Sequence, residues 1–283
     1  MSLSAAYHNT AGKAEVEDAA TGMKVDHVAV QKACTQDPTQ PLRDRIAQRI
    51  ANHVKVIECP TCVDVGCSIG KDCATLLAAL GRAANVTGVD LMEAQLEAAR
   101  ASIPEASFVQ GDAANLPLSD ASVDSLQCAR LLMHAPDLGA TLDEFLRVMK
   151  PGAIAVFYEG DFRAGALLTS DATIAKVHAA KKAQTVGALA QPNVAQDILK
   201  YLLASPATEL VTFDGFPAVN RDPTYGFPGM LEVEKGQLQT LVENGTLTQD
   251  EFDEYYRVLG AVVTSGDWVE SNMLFEISFV KKA

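Results

Sequence analysis

The sequence has no long apolar run. Its 283 residues have a mean hydropathy of only +0.07, and no segment approaches the roughly 20 apolar residues that a membrane helix needs. The first ten residues also lack the basic and apolar segments of a secretory signal. We therefore expect a cytoplasmic protein without a membrane span, in which the six cysteines are reduced thiols.

Basic charge is scarce as well. The chain has 23 Lys and Arg against 36 Asp and Glu, a formal net charge of −13. An acidic surface repels phosphate backbones, so we expect no nucleic-acid partner. Hydrophobic residues make up 48% and charged residues 21%, which is typical of a globular protein and excludes a disordered or fibrous chain.

From residue 61 onward, short apolar runs alternate with helical stretches. This alternation predicts βαβ units and a mostly parallel sheet with helices on both faces. Seven strands are predicted, at residues 62–66, 85–90, 107–110, 123–128, 153–158, 209–216 and 273–280.

The rest of the pattern is mainly helical. We expect residues 1–60 to form an N-terminal arm and an amphipathic helix that cap the active site, with Pro41 in the first turn of the helix. Residues 61–283 are expected to form one domain with helical substrate or lid insertions at about 163–205 and 225–265. Thr248-x-x-Glu251 predicts a capping box at the start of one helix.

The most informative segment is Val63-Asp-Val-Gly-Cys-Ser-Ile-Gly70. It reads as a strand that enters a glycine-containing turn and then a helix, at the edge of a parallel sheet where ligands bind. Asp90 ends the next predicted strand and could accept both hydroxyls of a ribose. Asp112 follows the third strand and could accept an adenine amino group. Together, these residues predict a nucleoside site.

Two phosphate-binding motifs are absent. The dinucleotide pattern G-x-G-x-x-G is not present, because Ser68 replaces the middle glycine. A Walker motif is excluded because Asp72 follows Gly70-Lys71. Asp64 lies just before the turn, where a carboxylate suits an ammonium group better than a pyrophosphate. These features fit S-adenosylmethionine (SAM), which has no phosphate.

Several further segments occur in a recognisable order and spacing: Val86-Thr-Gly-Val-Asp-Leu91, Phe108-Val-Gln-Gly-Asp-Ala113, Asn115-Leu-Pro-Leu-Ser-Asp120, Ala129-Arg-Leu-Leu-Met-His-Ala-Pro-Asp137 and Glu144-Phe-Leu-Arg-Val-Met-Lys-Pro-Gly152. With the first segment, they make residues 60–160 resemble the class I SAM-dependent methyltransferases of the ubiquinone/menaquinone (UbiE-like) group. The resemblance implies an α/β, Rossmann-like fold with a mostly parallel seven-stranded sheet and a helical lid. It also implies that a monomer or homodimer transfers the sulfonium methyl to a small-molecule acceptor, such as a natural product, a quinone-like compound or an amine or hydroxyl metabolite, leaving S-adenosylhomocysteine.

The resemblance assigns cofactor contacts by position. Asp64 would orient the methionine part of SAM, the backbone near Ala129 and Arg130 would meet its ammonium group, and Arg43 is a candidate partner for its carboxylate. The other implied contacts are the turn residues Gly66, Cys67, Ser68 and Gly70, the ribose-binding Asp90 with Leu91 against the adenine, and Asp112 and Ala113 at the adenine edge.

Catalysis by such an enzyme depends chiefly on alignment and exclusion of water. A general base is needed only when the nucleophile must lose a proton. His134 is the first candidate, and Tyr7 is a second because related phosphoethanolamine-type methyltransferases pair a histidine with a tyrosine from the N-terminal arm. Glu159 follows the fifth strand and could face the substrate cleft. Alternatively, His134 only caps its loop, and Glu159 is solvated or caps the next helix.

Other functions remain open at this point. Cys59-x-x-Cys62 could suggest zinc, but Cys67 and Cys73 are irregularly spaced, and we expect no metal site. A SAM-binding protein of the same fold without methyl transfer and an NAD(P)-dependent oxidoreductase are the alternatives. The acidic charge disfavours RNA as an acceptor, and the helical insertion favours a closed pocket over a groove for protein.

Overall fold

A computed structural model describes residues 15–17, 24–26, 40–81, 83–223 and 230–283. Two short N-terminal strands, β1 (Glu15–Glu17) and β2 (Lys24–Asp26), pair antiparallel. Helix α1 (Gln40–His53) follows, with Pro41 in its first turn. No helix in these ranges is both long and apolar enough to span a membrane.

A seven-stranded sheet forms the centre of the described structure. Its strand order is β5-β4-β3-β6-β7-β9-β8, and only β9 runs antiparallel to its neighbours. The predicted α/β, Rossmann-like fold is therefore confirmed. The strands are β3 (Thr61–Val65), β4 (Asn85–Asp90), β5 (Ser107–Gln110), β6 (Val123–Ala129), β7 (Met149–Leu168), β8 (Thr208–Asn220) and β9 (Val269–Lys281).

Seven helices follow α1 in the described ranges: α2 (Lys71–Leu80), α3 (Glu93–Ser102), α4 (Leu138–Val148), α5 (Ala172–Ala188), α6 (Val194–Ala204), α7 (Met230–Glu243) and α8 (Gln249–Ser265). Apolar layers cover both faces of the sheet, which explains why β3 and β6 are buried along almost their whole length. One layer includes Phe145 of α4 and Ile198 of α6. The other includes Ile50 of α1, Leu76 of α2 and Leu96 of α3.

The chain reverses its direction of travel across the sheet between β3 and β6. From β3 it proceeds outward to β4 and β5, and it then returns to place β6 on the other side of β3. Such a reversal leaves a crevice at the carboxyl ends of the strands, which is where ligands bind in open α/β sheets. The fold thus brings the ends of β3 to β6 to one place.

Helices α5, α7 and α8, called the distal helices below, have a separate apolar core around the fully buried Trp268. The predicted capping box opens α8, since the Thr248 hydroxyl accepts from the Glu251 backbone and the Glu251 carboxylate accepts from the Thr248 backbone. Helix α6 differs from the expected insertion, because Ile198 and Leu202 pack it on the sheet.

Strands β7 and β9 also differ from expectation. Strand β7 continues to Leu168 and pairs there with the start of β9 at Val269, so residues 163–168 are strand. The register breaks between Asp161 and Ala166. The last residues of β7 alternate between exposed and half-buried, which leaves no run of apolar side chains to mark a strand.

Candidate functional site

A cavity of about 550 Å³ lies at the carboxyl ends of β3 to β6. It brings together most of the residues implied for the cofactor and one candidate base. The predicted residues on its wall are Arg43, Gly66, Cys67, Ser68, Asp90, Leu91, Asp112, Ala113, Ala129, Arg130 and His134. Asp64, Gly70 and Glu159 are not on this wall, and Tyr7 lies outside the described residues.

The turn after β3 is built from left-handed backbone. The φ angles of Gly66, Ser68 and Gly70 are +77°, +50° and +83°, a region in which side chains are disfavoured. A Cβ on Gly70 would lie 2.7 Å from Cδ1 of Ile103. Gly70 therefore lets α2 begin close against neighbouring apolar side chains rather than touching the cavity.

Four backbone N–H groups of this turn donate within the protein. Those of Gly66 and Cys67 donate to the Val89 carbonyl at 2.7 and 3.1 Å, and that of Gly70 donates to the Cys67 carbonyl at 2.8 Å. The Ser68 N–H donates to Asp90 Oδ2 at 2.8 Å. A pyrophosphate cradle needs such groups free to face the ligand, so these four donors do not provide one.

Asp90 joins the ends of two elements. Besides the Ser68 N–H, its carboxylate accepts the Met92 N–H at 2.9 Å. Burial raises the pKa of Asp90, and these backbone donors oppose the shift. A carboxylate has about four lone-pair sites, so Asp90 keeps room for a further donor such as a ligand hydroxyl.

Asp112 closes the turn after β5. Its carboxylate accepts the Ala114 N–H at 2.9 Å, and Asp112 and Ala113 both border the cavity. Since β5 is the edge strand beside β4, this turn lies beyond Asp90 along the row of strand ends.

Asp64 lies behind the turn rather than in the cavity. Its side chain is buried, and Cys73 Sγ donates to its Oδ2 at 3.3 Å. Burial and the neighbouring Asp72 raise the pKa of Asp64 to about 8. At neutral pH Asp64 is therefore mostly a neutral acid, which makes it a weaker partner for an ammonium group.

Arg43 reaches the cavity from α1. Its guanidinium Nη1 lies 2.6 Å from Asp72 Oδ1, and its side chain is only 5% exposed. Asp72 belongs to the first turn of α2, so this ion pair fixes Arg43 beside the turn that follows β3. A buried arginine held in this way can bind a ligand carboxylate.

The segment after β6 forms a tight turn that carries His134. Arg130 has a φ of +54°, its N–H donates to the Tyr158 carbonyl at 2.7 Å, and Leu132–His134 form one turn of 3₁₀ helix. His134 and Met133 both border the cavity. The turn thus presents an imidazole next to an apolar side chain.

Glu159 supports this turn from below. Its Oε1 accepts the N–H groups of Leu131 and Leu132 at 3.1 and 2.8 Å, and its side chain is fully buried. Burial raises the pKa of Glu159 to about 8. The expectation that Glu159 faces the substrate cleft is therefore corrected, because the turn after β6 folds over it.

Gln191, which sequence reasoning missed, holds the same turn from above. Its backbone N–H donates to the Met133 carbonyl and its side-chain Nε2 donates to the Ala135 carbonyl, both at 3.0 Å. A single glutamine in a polar loop gives no sequence signal of such contacts. Among the described side chains, no group of three or more His, Cys, Asp or Glu residues could hold a metal ion.

Residues 63–157 match the family model described as a methyltransferase domain. The match is limited to this part of the chain. It covers β3 to the middle of β7 and includes most of the cavity wall.

The similarity to curated proteins likewise covers only part of the chain. A demethylmenaquinone methyltransferase from Staphylococcus aureus is 34% identical over 115 residues, which are 40% of this chain and 48% of that protein. The chain spans less than half the length of the curated relatives it matches, between 30% and 48% for the first four.

Two solved structures share the fold over most of the chain. A Bacillus halodurans protein superposes with a TM-score of 0.57 at 18% identity, over 83% of this chain and 99% of that chain. A Haemonchus contortus phosphoethanolamine N-methyltransferase, in complex with S-adenosylhomocysteine, gives a TM-score of 0.53 at 15% identity, over 94% of this chain and 58% of that chain. At these identities the likeness concerns the fold alone.

Proposed function

We propose that the protein is a SAM-dependent methyltransferase that acts on a small-molecule acceptor. The observation that carries this proposal is that the four N–H groups at Gly66, Cys67, Ser68 and Gly70 already donate within the protein. The turn has the position of a nucleotide-binding loop but leaves these donors unavailable to a phosphate. This favours a nucleoside cofactor without phosphate over NAD(P).

The order of the strand ends matches the order of groups in SAM. Asp112 and Ala113 after β5 suit the adenine, Asp90 at the end of β4 suits the ribose diol, and the turn after β3 suits the amino-acid part. Arg43 lies beside this turn through its ion pair with Asp72, where it suits the carboxylate of the same ligand.

The reaction requires little covalent chemistry from the protein. When bound, SAM supplies an electrophilic methyl group on a sulfonium that leaves as a neutral thioether. The cavity wall aligns the acceptor and excludes water. His134 accepts the proton of an acceptor that must lose one, with Tyr7 as its proposed helper, while Glu159 and Gln191 hold the turn that carries His134. We also propose that the protein is cytoplasmic and is a monomer or a homodimer.

Ligand binding provides the first test. S-adenosylhomocysteine at 100 times its Kd should raise the free energy of unfolding by about 2.7 kcal/mol, whereas NAD or NADP should leave the melting temperature unchanged. Asp90→Asn should weaken S-adenosylhomocysteine binding at least tenfold, and Glu97→Gln, an exposed acid on α3, should not. Stabilisation by NAD(P) alone would overturn the proposal.

Methyl transfer provides the second test. Protein incubated with methyl-labelled SAM and a fraction of small metabolites should label at least one of them. His134→Asn should reduce this labelling by about 10²-fold or more if the acceptor loses a proton, without changing S-adenosylhomocysteine affinity. Tight cofactor binding without any labelled product would leave the non-methylating SAM binder as the better description.

A further inference from the structure

The cavity has two halves, which are defined by the strands that border them. The ends of β3, β4 and β5 form the half assigned above to the cofactor. The other half lies at the end of β6 and beside the middle of β7, where the wall includes Arg130, Leu131, Met133, His134 and Phe162. This half is mostly apolar, and since it lies on the far side of β3 from the nucleoside contacts, it is the half available to an acceptor.

Arg130 is the cation of this acceptor half. Its side chain is exposed and borders the cavity, and among the described residues it forms no ion pair. The other arginine on the cavity wall, Arg43, is paired with Asp72. A guanidinium left unpaired at a cavity wall in a chain of net charge −13 can bind an anion.

The acids around Arg130 do not neutralise it. Glu159 lies near enough for its charge to interact with Arg130, but its carboxyl accepts the backbone N–H groups of Leu131 and Leu132. Asp161, further along β7, is paired with Arg163 at 2.6 Å. The positive charge of Arg130 therefore remains directed at the cavity and the solvent.

The backbone of Arg130 is also unfavourable. Its φ of +54° costs an ordinary residue about 1 kcal/mol or more, which glycine would avoid. Strained residues of this kind concentrate at ligand sites. The N–H of Arg130 is not available to a ligand, because it donates to the Tyr158 carbonyl, so the carbonyl and the side chain are the parts of this residue that can contact one.

We propose that Arg130 selects an acceptor that combines an apolar body with an oxyanion, either a carboxylate or a phosphate monoester. The guanidinium binds the anionic group through paired N–H donors, while Met133 and Phe162 contact the apolar body. This inference rests on the proposed function, since it assigns the acceptor half of the same cavity.

Binding of small probes to the protein saturated with S-adenosylhomocysteine tests the proposal. Benzoate and phenyl phosphate carry the two anions on one apolar ring, and benzamide is the neutral analogue. By isothermal titration, at least one anion should bind ten times more tightly than benzamide. Arg130→Gln should abolish this difference and Arg130→Lys should keep part of it. Arg257→Gln removes the same charge from exposed α8 and should keep all of it.

The outcomes are separable. Failure of the wild type to bind S-adenosylhomocysteine would count against the proposed function itself. If it binds, the inference is overturned when neither anion binds more tightly than benzamide, or when Arg130→Gln retains the preference. A loss of S-adenosylhomocysteine affinity in Arg130→Gln, with the probe preference unchanged, would instead assign Arg130 to the cofactor carboxylate.

Discussion

The carboxylate of Glu159 accepts the backbone N–H of Leu132 at 2.8 Å from a fully buried position. This bond joins the middle of β7 to the turn after β6. The two strands are adjacent and parallel, with Ala129 opposite Tyr158. A turn that has a buried acceptor for its first N–H groups keeps its shape without help from a ligand. Glu159 is thus a positioning residue for His134.

Removal of the Glu159 carboxyl should destabilise the fold. Glu159→Ala leaves the N–H groups of Leu131 and Leu132 without their acceptor, and each buried unsatisfied donor costs about 1–3 kcal/mol. We expect a loss of about 2–4 kcal/mol in the free energy of unfolding, measured with urea. Glu159→Gln retains an acceptor oxygen and should lose much less. Equal losses of unfolding free energy in Glu159→Ala and Glu159→Gln would show that the acceptor oxygen does not stabilise the fold.

The same residue should make stability depend on pH. Burial raises the pKa of Glu159 from 4.5 to about 8 in the folded protein. Between these values the folded state holds a proton that the unfolded state releases, so this contribution to stability is complete below about pH 4.5 and is lost as the pH rises to 8. The free energy of unfolding should fall by up to about 1.4 kcal/mol per pH unit for this group.

Glu159→Gln removes this titration without removing the acceptor. The unfolding free energy of the wild type should therefore fall relative to that of Glu159→Gln from pH 5.5 to pH 7.5, a window chosen inside the pKa shift. Glu97→Gln should leave the pH dependence of the unfolding free energy as it is in the wild type. Asp64, whose pKa is also raised to about 8 by burial, contributes a slope of the same sign that remains in both variants.

Gly70 should tolerate no side chain. A Cβ there would lie 2.7 Å from Ile103 at a φ of +83°, so Gly70→Ala combines backbone strain with a close contact. We expect a loss of about 1–3 kcal/mol in the free energy of unfolding and weaker S-adenosylhomocysteine binding. Gly187→Ala in α5, where nothing lies within 4 Å of the added Cβ, should be neutral or stabilising by up to about 1 kcal/mol. Equal changes in the free energy of unfolding for Gly70→Ala and Gly187→Ala would contradict the proposed strain at position 70.

Replacement of Arg43 should weaken the binding only of ligands that have a carboxylate. Arg43→Gln should weaken S-adenosylhomocysteine binding about 10- to 100-fold, because a hydrogen bond between charged groups contributes about 1.5–3 kcal/mol. Methylthioadenosine has the same nucleoside but no carboxylate, and its affinity should change less than twofold. Calorimetric titration of both ligands measures this. An equal loss for both would indicate that Arg43 acts on the turn through Asp72 and not on the carboxylate.

Part of the fold and the site follows from local pattern. The alternation of strand and helix patterns and the glycines after β3 predict a parallel sheet and its ligand edge, because βαβ order and positive φ both leave marks in the sequence. The position of Asp90 follows in the same way, since a strand end in a parallel sheet fixes which edge its last residue occupies.

The remaining features depend on contacts between distant segments. Nothing near Glu159 indicates that residues 131 and 132 fold over it, because that depends on the pairing of β6 with β7. The helical spacing of Ile198 and Leu202 predicts α6 but does not say whether it covers the sheet or joins a lid. Gln191 is invisible for the same reason, since its partners lie more than fifty positions earlier.

The break in β7 has a mechanical consequence. The distal helices are attached to the sheet through β7, β9 and β8, and hydrogen-bonded strands resist stretching far more than twisting. The pairing of β8 with β9 is continuous from Thr212 to Asn220. The pairing of β7 with β9, in contrast, is interrupted between Asp161 and Ala166. We therefore expect the distal helices to rotate most easily about this one-sided gap. Phe162 lies within it and on the cavity wall, so such a rotation would change the width of the acceptor half.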